Sequence, residues 1–550
     1  MSNKIIISII LILTFTRINH SQTESEIRGT VLFRGKPAEN AVVNISSQTA
    51  LAKTNSVRSD KSGGFSFKLP SGKYYITAEA NIDGAKASAA RELLAEPGKA
   101  TVIELEMLIR LPNEIVTIAV NQNQLSDEVS KTVAAVGAEE LRQRADFSLA
   151  ETLRTAASLR VQQLGGFGRT ASIKARGLRN QDTAILIDGV RLRDASSITG
   201  DASAFISDLT LTSVSKIEIL RGPGSSLYGT NAVGATVSLV TPNPQNRPSG
   251  QISYAIGGLG LQRFRGNLSD GTSDGRFGFN IAVSRTAYTQ GIDGNDEAFN
   301  TNFQGRIDYN PLRKLNLSGN IFVSDAFVKL NSNPDTVGTM PVSNSVIIEA
   351  KENVNFTPDV DDPDSQQRSK FVLGSINANF IISNSGTFTA YYSGVKTTRK
   401  NDNGPLGIGF QSAGTSIFGG DIQTAGGRLS IAAAGSGVLQ LGYEFENENY
   451  LNEGKTPSGS GNFTTRASQS SNAIFAQFIS SQFFKRLQLT GGFRFQDFEL
   501  RTPRFSSTNS PYQGLQGLDP PHAITFDGSA VYGIEKTGTS LRFHVGNGYR

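Results

Sequence analysis

The chain has 550 residues, a formal charge of +5, three His and no Cys. That length is several times an ordinary domain and implies two or more cores, while the missing thiols exclude disulfides and thiolate metal sites. Lys and Arg are spread along the chain rather than gathered in blocks, so nothing points to a nucleic-acid partner. Gly at 57 residues with hydrophobic residues at only 38% suits twisted, tightly turning β-structure. No stretch approaches the roughly 20 apolar residues of a membrane-crossing helix. The longest apolar run, Ile5 to Phe15 after Lys4, has the length of a secretory leader core. It predicts a leader over 1–21, cut after Ser21, although Arg17, Asn19 and His20 stand where small residues are expected; an uncleaved inner-membrane anchor is the other reading.

Residues 22–110 read as a β-sandwich: short alternating strands such as Phe65-Ser66-Phe67-Lys68-Leu69 lie between Gly and Pro turns. In 111–124, the hexamer Glu114-Ile115-Val116-Thr117-Ile118-Ala119 is rich in β-branched residues and flanked by polar ones. It reads either as the last sandwich strand or as a separate exposed strand. Residues 125–245 mix elements. Leu141 to Leu159 has Leu149, Leu153 and Ala156 at helical spacing, and apolar runs follow at Ile173, at Ala184 to Val190 and at Lys216 to Leu220. Asp188-Gly189 between apolar runs predicts a type I′ hairpin turn, which needs positive φ at both residues. Gly222, Gly229 and Gly234 allow sharp bends, and Pro223 ends a strand.

From 246 to 550 the period is two. Phe277, Phe279, Ile281 and Val283 alternate with Gly278, Asn280 and Ser284; Leu439, Leu441, Tyr443 and Phe445 alternate with Gln440, Gly442, Glu444 and Glu446. Leu487, Leu489, Phe493 and Phe495 alternate with Gln488, Thr490, Arg494 and Gln496. One apolar and one polar face per strand is the pattern of a transmembrane barrel with a wet lumen. A soluble sandwich shares it, but without polar connections as long as Lys329 to Gln367 or Asn401 to Asp421. Trp, the favoured residue of membrane girdles, is absent, which leaves that place to Phe and Tyr. The fold class expected is mainly β: an N-terminal β-sandwich, a mixed α/β domain and an antiparallel transmembrane β-barrel.

Three resemblances sharpen this reading. Gly29, Val31, Gly35, Pro37, Ala38, Asp60, Gly63 or Gly64, Phe65, Pro70, Gly72 and Tyr74 follow the pattern of carboxypeptidase regulatory-like domains, a name that implies no peptidase. Ile173 to Gly177, Leu186-Ile187-Asp188-Gly189-Val190 and Ile217-Glu218-Ile219-Leu220-Arg221-Gly222-Pro223 through Tyr228-Gly229 resemble the plug of TonB-dependent outer-membrane receptors, over essentially its whole length. Glu114 to Ala119 then resembles a TonB box, a segment that adds as a strand to TonB, and it is expected to lie exposed to the periplasm outside sandwich and plug. The family implies import of a scarce nutrient (siderophore, cobalamin or oligosaccharide class) across the outer membrane, energised by TonB and its inner-membrane complex. The N-terminal domain would lie in the periplasm. A surface adhesin or structural barrel is the alternative.

The resemblance also implies that Arg176 and Arg221 hold the plug against barrel glutamates, with Glu444 and Glu446 as candidate partners. Asp359, Asp361, Asp362 and Asp364 crowd one loop and form a candidate calcium site, although their spacing is not that of an EF-hand. No cofactor or catalytic set is expected. His20 falls in the leader, His522 and His544 in barrel-like segments, and neither a phosphate-binding loop nor a dinucleotide fingerprint occurs; Gly165-Gly166-Phe167-Gly168 reads as a plug turn. About a dozen strand-like segments lie between Gly250 and Arg550, against about 22 in plugged transporters. The stretch Gly546-Asn547-Gly548-Tyr549-Arg550 resembles one followed by further strands, so the expectation is of a barrel that continues beyond Arg550.

Overall fold

The computed structural model describes residues 24–550 apart from 34, 48–53, 83–84, 108–114, 120–123, 126–128, 198, 292–296, 331–363, 384, 406–412, 434–436, 481–486, 508–509, 511–512, 515–518, 535–538 and 550. The leader, Glu114, Asp359, Asp361 and Asp362 lie outside the described residues. The chain divides into two compact units, one drawn from residues up to Asn113 and one from Glu114 onward.

The first unit is a two-sheet sandwich. Glu24–Phe33 is the hub of one sheet, antiparallel to Gly64–Pro70 and parallel to Ala100–Met107. The other sheet runs Thr54–Arg58, Val42–Ser47, Gly72–Ile82, Ala85–Ala95. Period-two alternation puts Phe65, Phe67 and Leu69 inside, with Ile27, Val31, Ile45 and Ile76. The residues of the quoted pattern have structural work. Asp60 Oδ1 accepts from Ser62 N (2.8 Å), Ser62 Oγ (2.6 Å) and Gly64 N (2.8 Å), and so folds the turn into the Gly64 strand. Tyr74 donates its hydroxyl to the Pro70 carbonyl at 2.8 Å, and burial pushes the phenol up to about 12.

In the second unit a wall of thirteen antiparallel strands, each paired with the next in sequence, runs from Ser249–Gly257 to Thr539–Gly546. Among the described residues no ladder joins those two strands, so the sheet has two edges. The predicted alternation is realised. Ile281, Val283, Leu441, Tyr443 and Phe493 point outward and are exposed, while Asn280, Ser284, Gln440, Glu446, Arg494 and Gln496 are buried on the inner side. An apolar exterior suits a wall that borders hydrocarbon. The long connections after Lys329 and Asn403 fall at one rim; the short ones after Leu312 and Ser383 fall at the other.

Against the inner face sits a mixed domain. Its five-stranded sheet has the order Thr132–Gly137, Lys216–Arg221, Ala235–Val240, Thr183–Ile187, Val190–Leu192, and a separate hairpin pairs Leu159–Gln163 with Ala171–Ala175. The helical patch expected from Leu141 to Leu159 is two short helices, Ala138–Gln143 and Leu149–Arg154, followed by a strand. Ala145 at φ 56° and Ser158 at φ 69° break the spiral, and Ser148 caps the second helix by accepting from Glu151 N. Leu149 and Leu153 are fully buried, as their spacing required.

Above its ordinary pKa, Asp60 offers its turn a charged acceptor, and those donors hold its carboxyl below the usual range. Its stabilisation is therefore complete above the unfolded pKa and lost as pH falls through the lower folded one. Asp60→Ala should lower the melting temperature of the N-terminal unit at pH 7, and scanning calorimetry at stepped pH should show the gap to wild type closing below about pH 3.8.

Candidate functional site: the plug–wall contact

The Asp188-Gly189 turn has the positive angles expected, φ 47° and 83°. Asp188 fixes it by accepting from Thr241 N and Thr241 Oγ1, both at 2.8 Å. The turn launches Val190–Leu192, on which Val190 and Leu192 enter the apolar core while Arg191 takes the other face, the one that Arg193 shares. Both arginines meet the wall. Arg191 Nη2 lies 3.0 Å from Glu444 Oε1 and 2.6 Å from Glu446 Oε2. Arg193 Nη1 lies 3.1 Å from Glu446 Oε1, and its other terminal nitrogen pairs with Glu448.

The wall completes the lattice. Arg494 reaches Glu444 at 2.7 Å, Tyr391 donates to Glu444 at 3.0 Å, and Thr424 donates to Glu446 at 3.2 Å. Three guanidiniums thus face three carboxyl groups. Gly229, at φ 70°, leaves room for it: a Cβ there would stand 2.6 Å from Arg191 Nη1. That nitrogen also donates to the Tyr228 carbonyl at 2.8 Å.

Glu444 and Glu446 thus bind plug arginines, but Arg191 and Arg193 rather than Arg176 and Arg221. Arg176 is exposed at φ 50° in a turn with Gly177 (φ 78°), and Arg221 donates to the Ala157 carbonyl at 2.9 Å. Neither forms an ion pair with a carboxylate among the described residues. The correct pair was signalled by spacing: Arg-x-Arg directly after a hairpin turn has the period of Glu-x-Glu-x-Glu at 444–448, so both rows face one way.

Two further contacts fasten the plug. Lys131 Nζ lies 2.7 Å from Asp527 Oδ2 with both side chains buried; Ser226 also donates to Asp527, and the hydroxyls of Ser130 and Ser529 are 2.6 Å apart. Near Thr210, Asn302 donates to Thr210 Oγ1 at 2.6 Å, and Ser369 donates to Asp208 at 2.6 Å.

The segment 115–119, expected outside the plug, is buried against it. Ile115–Val116 pairs with Gln124–Leu125, and Val116, Ile118 and Ala119 are each 1% exposed. Glu218, midway along a plug strand, accepts from Thr117 N (3.1 Å), Thr117 Oγ1 (3.2 Å) and Ile118 N (2.8 Å). Lys216 pairs with the same carboxylate at 2.6 Å, and the Tyr228 hydroxyl donates to the Ile118 carbonyl at 2.8 Å. The physical reason is Glu218 itself, a fully buried carboxylate that requires donors. Of the aspartate loop only Asp364 is described, and among the described residues no three His, Cys, Asp or Glu side chains gather as a metal site would need.

Residues 126–236 match the family model of the TonB-dependent receptor plug domain. The vitamin B12 transporter of Vibrio cholerae is 29% identical over 171 residues, 30% of this chain and 27% of the relative; that of Photobacterium profundum is 27% identical over 183 residues, 33% and 28% respectively. The fold resembles the ferric yersiniabactin uptake receptor of Yersinia pestis (TM-score 0.56, 16% identity, 74% of this chain and 62% of that one). It also resembles the ferric preacinetobactin receptor of Acinetobacter baumannii (TM-score 0.59, 13% identity, 76% and 64%). The match thus spans just over a quarter of the curated transporters and under two thirds of these solved receptors.

Removing one member of the lattice strands the charges it neutralised. Glu446→Gln should destabilise plug docking by about 3–5 kcal/mol. Urea titration of protease protection of the plug measures this, and a midpoint equal to wild type would show that Glu446 does not hold it.

Proposed function

Because the chain carries the plug domain of TonB-dependent receptors and the plugged-wall fold of that family, we propose that it is an outer-membrane importer of a scarce nutrient, energised by TonB. The observation that carries this reading is a plug locked by charge inside a wall whose exterior is apolar. Such a plug blocks passive flow, so passage needs work done on the plug. No nucleotide-binding motif offers a local source for that work.

The energy would come from the inner-membrane complex through TonB, which adds as a strand to Glu114–Ala119 once that segment leaves Glu218. The nutrient class follows the relatives, a ferric siderophore or a cobalamin, captured at the rim that carries the long connections. The N-terminal sandwich, read as a carboxypeptidase regulatory-like domain, would lie on the periplasmic side. An adhesin or structural barrel would need no TonB, so dependence on it separates the two readings.

Proline at 116 removes a backbone donor that strand addition uses. Val116→Pro should abolish energised uptake in cells offered ferric siderophores and cyanocobalamin, while surface binding of whichever is taken up persists. Uptake equal to wild type would refute the role given to this segment.

A further inference from the structure

Three arginines among the described residues are buried: Arg193, Arg494 and Arg428. The first two belong to the arginine–glutamate lattice. Arg428, 7% exposed, has neither an ion pair nor a hydrogen bond among the described residues, and the ionisable groups that act on its charge are the phenols of Tyr391 and Tyr228. A guanidinium so placed has lost hydration without regaining it from a partner. It does nothing to hold the docked plug.

Its position in the wall gives it another use. Arg428 lies on Gly414–Ala433 and Glu444 on the neighbouring strand Gly437–Lys455, where Gly426 is the register partner of Glu444 and Gly442 that of Arg428. Arg428 and Glu444 are therefore diagonal neighbours on the inner face, about 7–8 Å apart at the backbone, a span that a long side chain bridges. Tyr391 stands between them. Its ring covers Gly426, where a Cβ would lie 2.4 Å from the ring, and its hydroxyl donates to Glu444 at 3.0 Å. With Arg191 and Arg494 also on Glu444, that carboxylate has its donors and Arg428 is left out.

Parting plug and wall changes the balance. Arg191 and Arg193 belong to the plug and leave with it, as does Tyr228, whereas Glu444, Glu446, Glu448 and Arg494 stay. Three carboxyl groups then share one guanidinium, in a place where an unmatched charge is costly. We propose that Arg428 is the wall's reserve counter-ion, a positioning residue that pairs with Glu444 once Arg191 has gone. Unpaired in the docked state and paired in the released one, it favours release in both. The inference rests on the importer reading above, in which the plug has to leave its seat.

Arg428→Gln should therefore hold the plug more firmly, the reverse of what losing a structural arginine does. In outer membranes carrying the full receptor, at a urea concentration that half-releases the wild-type plug, proteolysis of the plug should slow about threefold in Arg428→Gln. It should stay near wild type in Arg428→Lys, which keeps the charge, and the slowing should vanish in a Glu444→Gln background. Equal or faster proteolysis in Arg428→Gln, a plug that no longer docks, or slowing that persists without the Glu444 carboxylate would each overturn the pairing. In cells, uptake of ferric siderophores or cyanocobalamin should slow in Arg428→Gln with surface binding unchanged, and uptake as fast as wild type would overturn it too. Wild-type uptake that needs no TonB, alongside the expected urea results, would overturn the importer reading instead.

Discussion

A sheet whose outer face is apolar has little freedom in how it holds anything against its inner one. Strand geometry sends successive side chains to opposite faces, so an apolar exterior fixes every second position as interior. Those interior positions are Asn, Ser, Gln, Glu and Arg over much of the sheet. A domain docked there must bring matching polar groups or leave charges buried without partners. The pairing of Arg191 and Arg193 with Glu444, Glu446 and Glu448 meets that requirement, and Arg494 balances the count. The Asp188-Gly189 turn, the absence of a side chain at Gly229 and the alternation of Val190 and Leu192 with the arginines all serve that one contact.

What the sequence made legible follows from periodicity. The wall strands, their outward faces and the Asp-Gly turn rest on local rules, and the structure bears out each of them. The glutamates at 444 and 446 were found for the same reason, since polar parity alone places them inside. Their partners are Arg191 and Arg193 because those side chains share the glutamates' period of two, whereas Arg176 and Arg221 sit at Arg-Gly steps where the backbone turns away. Helical spacing at Leu149 and Leu153 was real, but it could not reveal the breaks at Ala145 and Ser158, where the backbone turns left-handed without a glycine.

The burial of residues 116–119 was illegible for a different reason. Nothing in a β-branched run states whether it finds its partners in another protein or in its own chain. The deciding residue lies about a hundred positions later: Glu218, in the middle of an apolar strand, is the kind of carboxylate that burial tolerates only with donors supplied. Lys216 supplies one, and the amides of Thr117 and Ile118 supply the rest.

That arrangement sets how firmly the segment is held. The bonds that hold Thr117 and Ile118 run to a charged acceptor, each worth about 1.5–3 kcal/mol net. A partner strand offers the same amides neutral carbonyls, each worth about 0.5–1.5 kcal/mol, but along the whole segment. Bond for bond the carboxylate is the stronger acceptor, and releasing the segment would also leave the buried Glu218 short of the amide donors of Thr117 and Ile118. Tyr228 donates its hydroxyl to the Ile118 carbonyl and accepts at its own carbonyl from Arg191, so one residue touches both the segment and the arginine–glutamate lattice. The buried segment and the charge cluster inside the wall thus share one residue.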